Sequence, residues 1–367
     1  MKKVLATILA LVMAIGLCSI SWADEGVTTA EALNTAVGAG GEVKLGADIS
    51  ANITIPADKT VTLDLNGKTL TGSIVNKGKL KVIGTGSVVA TAAGTAAVAN
   101  FPDGTVTLSG GTYESANWYV IKNMGEMYIN GPVNVQKPQG STDTSSLIDN
   151  GWYGSTDMVA GEQVQAQANK AKLVISNGNF NGKSGAKSCS VVKNDDYGVL
   201  EISGGTFDST ANTGTDNAAT LLNWNVATIS GGTFRGMYPI SNGAYNNDAD
   251  KGQITITGGE FIGTSTIFGN GQGGDGKGAV PDGQDVFTGN TVFVVCVDGK
   301  RPRSFNGQVC LGVKAGVLVG IIGLAVSQGA FRPVGKGKGD GICLQDYEGA
   351  AGRGGHGDVF KNQGNVF

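Results

Sequence analysis

The stretch "LEISGGTF" occupies residues 200–207, and near-copies of it recur as "ATISGGTF" (227–234), "ITITGGEF" (254–261) and, more loosely, "LVISNGNF" (173–180), each 27 residues from the last. A fixed period of this length marks a solenoid or other repeat array and has to be read before any other feature. Within each copy, apolar and polar residues alternate: Leu200 and Ile202 against Glu201 and Ser203, Ile254 and Ile256 against Thr255 and Thr257. That is the period of a strand with one buried face. A Gly-Gly pair follows at 204–205, 231–232 and 258–259, which suits a turn of positive φ. An aromatic then closes the phrase at Phe180, Phe207, Phe234 and Phe261, and "VTLSGGTY" adds Tyr113 to the series.

Between these copies lies a second signature, a short apolar pair ending in asparagine. It appears at Asn76, Asn100, Asn123, Asn150, Asn194, Asn223, Asn242 and Asn270. The step from Asn150 to Asn194 is the long one and contains "WYGSTDMVAGEQVQAQANKA", which reads as an insertion. No single unit buries its own apolar side, so stacked coils must share one core, with strands pairing between successive coils. Asparagine tolerates left-handed turn geometry. Stacked at one corner, its amide donates to one neighbour and accepts from the other.

Composition agrees. The 367 residues include 61 Gly, only 8 Pro and 16% charged residues, which fits short strands joined by tight turns rather than a disordered chain. Residues 24–297 carry 16 basic and 25 acidic side chains, a net charge of −9, which argues against nucleic acid as a partner. Residues 1–23 read as a secretory signal: Lys2 and Lys3, an apolar core, then "SWA" before Asp24. The expected localisation is therefore extracellular or at the cell surface. The remaining cysteines are Cys189, Cys296, Cys310 and Cys343, so the repeats hold no disulfide framework.

The stretch "TVTLDLNGKTLTGSIVNKGKLKVIGTG" (60–86) and the "ISGGTF" phrases resemble right-handed parallel β-helix proteins of the bacterial adhesin-like, pectate-lyase-like superfamily, over about residues 40–270. The resemblance implies an all-β chain with an asparagine ladder and stacked aromatics. The boundaries expected are a signal at 1–23, a cap at 24–40, β-helix repeats at 41–290 and an irregular Gly-rich tail at 291–367. In the cap, "TTAEALNTAV" offers a short helix with Thr28 and Glu31 at capping-box spacing and an apolar side of Ala32, Leu33 and Val37. Such a helix would cover the open end of the solenoid, whose strand edges are otherwise unpaired.

The tail changes composition, and its net charge of +4 (9 basic, 5 acidic over 298–367) reverses that of the body. It reads as a disordered stretch or as the product of a shifted reading frame. Gly312, Gly316 and Gly320 have the spacing of a membrane-helix contact face. Lys314 interrupts the segment, and the apolar run after it is short for a membrane span, so an anchor is not expected.

For activity, this fold carries lyases, hydrolases and non-catalytic proteins. The resembling pectin hydrolases use clustered aspartates with Gly-His-Gly and Arg-x-Lys. Here "NDD" (194–196) and "GHG" (355–357) lie 160 residues apart, and His356, the only histidine, sits in the tail. The lyases use calcium, which needs six to eight oxygens. Asp195, Asp196, Asp248 and Asp250 are the weak candidates, and they read more simply as solvated loop acids; no cofactor is expected. The repeats offer a single arginine, Arg235. An ice-binding array needs regular threonines, whereas Glu201, Ser203, Thr228 and Thr255 are mixed. Aromatic faces that would stack on sugar rings are Trp118, Tyr119, Trp152, Tyr153, Trp224 and Tyr238, with Tyr245 beside them. The insertion at 151–170 is the best single candidate for binding. The expected function is an adhesin-like protein that binds a polysaccharide, surface glycan or host or matrix protein without catalysis. The alternative is a polysaccharide lyase or glycoside hydrolase.

Overall fold

One repeat unit is three short strands, and the coil from Val192 to Asp208 shows the arrangement. Val192–Asn194, Gly198–Ile202 and Thr206–Asp208 follow one another, and each pairs in parallel with its counterpart in the next coil: Leu221–Asn223, Val226–Ile229 and Thr233–Gly236. The computed structural model describes residues 25–263, apart from 117, 142, 183–189, 212–218, 237 and 244–251, together with the backbone of Asp285–Val295, Cys310–Leu311, Phe331–Lys336 and Ile342–Asp346.

The seven strands ending in asparagine, preceded by Ile53–Ile55, form an 8-stranded sheet, here the ladder sheet, whose last strand is Ile240–Asn242. The strands typified by Gly198–Ile202 form the middle sheet, and those typified by Thr206–Asp208 the aromatic sheet; the latter two merge into one sheet of 18 strands. The chain is a parallel β-helix, and its repeated parallel strands fit the right-handed form expected.

The repeated phrase supplies the walls of this tube. Leu200 and Ile202 are buried, while Glu201 between them is exposed. The two glycines of the turn have separate duties. A Cβ on Gly204 would lie 2.4 Å from the backbone oxygen of Ser176 in the coil before, and Gly231 and Gly258 meet the same obstacle. Gly205, the second of the pair, sits at φ +104°, where side chains are disfavoured. Phe180, Phe207, Phe234 and Phe261 stack inside with ring centroids 4.6, 4.6 and 4.9 Å apart and planes within 7° of parallel. The spacing is that of neighbouring strands, about 4.8 Å, so the sheet itself sets the stack. Tyr113 occupies the same column but is separated from Phe180 by Val135, and its hydroxyl donates to the Gly110 carbonyl at 2.9 Å.

The ladder sheet holds the second column. Asn76, Asn100, Asn123, Asn150, Asn194, Asn223 and Asn242 are buried, and each Nδ2 donates to the next Oδ1 at 2.7–2.8 Å. Asn270 lies outside the described residues.

Helix α1, Ala30–Ala39, covers the first coil with Leu33, Ala36 and Val37 buried and Ala32 partly so. Its N-cap is Thr29, not Thr28: the Thr29 hydroxyl accepts from the Ala32 amide at 3.2 Å. Glu31 thereby falls in the first turn, out of register for the expected capping box. At the far end, Asp285–Val295 pairs in parallel with Gln253–Gly263, extending the sheet a few residues past the expected limit at 290. In the tail, Ile342–Asp346 pairs antiparallel with both Cys310–Leu311 and Phe331–Lys336. The apolar segment 309–331 otherwise lies outside the described residues, as do Cys189 and His356. Among the described residues, no helix is long and apolar enough to cross a membrane.

Candidate functional site: the covered face of the ladder sheet

A three-residue strand with its first and third side chains inside points its second outward. Register aligns these second residues into one row on the outer side of the ladder sheet: Thr54, Val75, Ala99, Lys122, Asp149, Lys193, Leu222 and Ser241. An outward row should be wet. Thr54 is exposed, yet Lys122 and Asp149 are fully buried and Lys193 is 8% exposed.

The insertion covers them. Thr156–Val159 and Glu162–Gln165 pair as an antiparallel hairpin, and Val159, Val164 and Trp152 pack with Ala99, Phe101 and Met124 in an apolar cluster separate from the main core. Trp152 bridges to the chain at Asp196, its amide donating to the Asp196 carbonyl at 3.0 Å. On the adjoining side, Lys137 is buried and binds the Trp118 carbonyl and, at 3.0 Å, the Asp143 carboxylate. Ser141 donates to the Ala116 carbonyl at 2.9 Å. These contacts hold the loop bearing Trp118 and Tyr119 against the row.

Beneath this cover, Lys122 Nζ lies 2.5 Å from Asp149 Oδ2 and 2.6 Å from Asp157 Oδ2, with the Tyr119 ring 5.4 Å away. Two coils on, Lys193 Nζ pairs with Asp195 at 2.9 Å and sits 4.6 Å from the Tyr153 ring and 4.3 Å from the Trp224 ring. Burial opposes the charge on Lys122, but the carboxylates of Asp149, Asp157 and Asp195 outweigh it and hold its pKa above the ordinary range. Burial, then repulsion from Asp149, pushes the Asp195 carboxyl up to about 7 against the pull of Lys193 and Lys122. The negative charge of Asp149, followed by burial, raises the Tyr119 phenol well above its usual value.

Most of the aromatics expected to meet sugar are therefore gathered at one place, but in a different role. Trp152 is fully buried and Trp224 is 2% exposed, so neither offers a face to a ligand; they form the lid and wall of the charged row. Tyr153 is 43% exposed, and Trp118 and Tyr119 are half-buried. Tyr238, also half-buried, belongs to the adjacent connection, where its carbonyl accepts from Thr220. Tyr245, Asp248 and Asp250 lie outside the described residues.

Asp195 and Asp196 are not solvated loop acids. They are 0% and 6% exposed, because the insertion closes over the turn that carries them. Among the described residues, no group of three or more metal-capable side chains comes together. Lys122, Asp149, Asp157 and Lys193 were not singled out from the sequence. The available signal was the middle letter of "IKN", "IDN" and "VKN", charged where the other coils carry Val, Ala, Leu, Thr or Ser.

A second feature lies on the open side of the middle sheet. Val174, Glu201 and Thr228 align across successive strands, and Ser203 and Ser230 follow those strands in register. With Ile202 they line a shallow groove of about 280 Å³.

The chain matches no protein-family model, no curated protein and no solved structure.

Proposed function

We propose that this chain is a secreted or cell-surface β-helix protein, of the bacterial adhesin-like, pectate-lyase-like kind its sequence resembles, that binds a glycan or a host or matrix component without transforming it. The observation that carries this reading is the groove over Val174, Glu201, Ser203, Thr228 and Ser230. Hydroxyls and a carboxylate are exposed there on a rigid sheet, repeating at the strand spacing of about 4.8 Å. An extended polymer of hydroxyl groups finds donors and acceptors there over several coils, with little loop ordering to oppose binding. The partly exposed Tyr153 and the half-buried Trp118 and Tyr119 provide a second, smaller contact zone on the ladder side.

The enzymatic alternative would draw on Asp195, whose carboxyl titrates near neutrality as an acid-base group should. Its burial speaks for the non-catalytic reading, since a polymer has no path to it.

The test is binding of the purified chain to an array of glycans and matrix proteins. Binding is expected to be lost on filling the groove with Ser203→Tyr plus Thr228→Arg. It is expected to survive Tyr153→Ala with at most a few-fold weakening. Retention of binding in the groove variant overturns the groove assignment. Release of reducing or unsaturated sugar ends from a bound polysaccharide overturns the non-catalytic reading.

A further inference from the structure

We propose that Lys122 and Asp149 condense to an intramolecular amide that ties two successive coils of the ladder sheet together covalently. The two residues are Cα partners on adjacent parallel strands, 27 residues apart in sequence, and both side chains are fully inaccessible to water. Nζ is already 2.5 Å from Asp149 Oδ2, and Asp149 Oδ1 has no hydrogen-bond partner. A third group completes the arrangement: Asp157 Oδ2, 2.6 Å from the same nitrogen, on a side chain that is 19% exposed.

The chemistry balances without any co-reactant. Asp157 carboxylate takes a proton from the Lys122 ammonium, and the freed nitrogen lone pair attacks Asp149 Cγ. The C–N bond forms and one C–O bond breaks. The two protons shed by the nitrogen leave with that oxygen as water, relayed by Asp157, which ends as it began. The closed site favours this outcome. The Lys122 ammonium and the Asp149 carboxylate, both kept out of water, carry a large desolvation penalty, and with Asp157 the group has a net negative charge. The amide is neutral, and the remaining charge rests on Asp157, which water reaches. Effective concentrations in such fixed geometry are high, because translational and rotational freedom has been lost on folding.

Lys193 and Asp195 provide an internal control. Their contact is longer, at 2.9 Å, Lys193 is held between the Tyr153 and Trp224 rings, and no second carboxylate is in ion-pair contact with its nitrogen among the described residues. That pair is expected to stay ionic.

Mass spectrometry of the folded full chain decides the matter. Lys137 precedes proline and resists trypsin, so cleavage after unfolding should give residues 82–122 and 123–170 if Lys122 is unmodified. The expected result is instead one fragment, 82–170, lighter than its sequence by one water, with tandem spectra placing the bond between Lys122 and Asp149. Lys122→Arg should restore the full mass. Asp157→Asn, still folded by circular dichroism, should remain uncondensed. Recovery of 82–122 and 123–170 at full mass from the wild type overturns the proposal, as does a bond mapped to Asp157. Condensation in Asp157→Asn overturns the relay.

Discussion

The inner and outer sides of the ladder strands obey different rules. Inside, every coil from Asn76 to Asn242 repeats the same residue, and the asparagines bond to their own kind and to backbone carbonyls of their own and neighbouring coils. Outside, the row changes from Val75 and Ala99 to Lys122, Asp149 and Lys193, and the chain spends an extra hairpin to cover it. The inner side is translationally periodic, so its stability is spread over nearest-neighbour contacts. The outer side is a unique arrangement of charges and rings, and its properties belong to a few residues. Repetition here marks the scaffold, and the departures from it mark where chemistry has been concentrated.

Substitutions test how far the two sides are separable. The largest effect is expected from Phe207→Ala, which opens a cavity in the middle of the aromatic stack and should lower stability by about 4 kcal/mol, read as a shift in the urea midpoint. Asn150→Ala should cost about 3 kcal/mol, because it strands the Asn194 Oδ1 and Val199 carbonyl acceptors and removes the acceptor of Asn123. Neither should disturb the tryptic pattern around Lys122 if the outer side is independent.

The outer side should announce itself through pH. Asp195 is at about 7 in the fold against an ordinary 3.8, so the folded state holds its proton more tightly than the unfolded chain. Its contribution to stability is therefore full at low pH and is lost as pH rises from about 4 to about 7. Denaturation midpoints across that interval should fall, and Asp195→Asn should flatten the slope. Condensation removes both the Asp149 charge that raises Asp195 and the weaker pull of Lys122 that lowers it, so the slope should be steeper in Lys122→Arg than in the wild type. The smallest effect is expected at the hairpin rim: Glu162→Gln, which breaks a partly exposed pair with Lys77, should change stability by no more than about 0.5 kcal/mol.

Much of the inner side was legible in the sequence because local alternation and a fixed period report it directly. Leu200, Ile202, Gly205, Phe207 and the asparagines from Asn76 to Asn242 stand where the repeat implied. The cap was legible to within one residue, since two adjacent threonines compete for one N-cap and only the backbone geometry selects Thr29. The site was legible in a different way: aromatics that meet there, Trp118, Tyr119, Trp152, Tyr153 and Trp224, were named as ligand-facing rings, and the insertion was marked as special. Their exposure was not legible, because it depends on which segments meet across coils. Trp224 meets Tyr153, and Lys122 meets Asp149, through contacts between residues tens of positions apart. Periodicity says that a side chain points outward but does not say whether another segment has folded over it.

The asparagine column also has a direction. Every amide in it donates toward the C-terminal end, so their dipoles add head to tail along the axis of the tube, and each bond polarises the next. Among the described residues the column starts at Asn76, whose Oδ1 has no partner because Ile55 occupies the preceding rung, and runs to Asn242, whose amide donates to the Gly252 carbonyl. The tube thus carries a built-in electrical polarity along its length. A coil appended before Asn76 with an asparagine of the same amide sense would find an acceptor waiting, whereas one of opposite sense would set acceptor against acceptor.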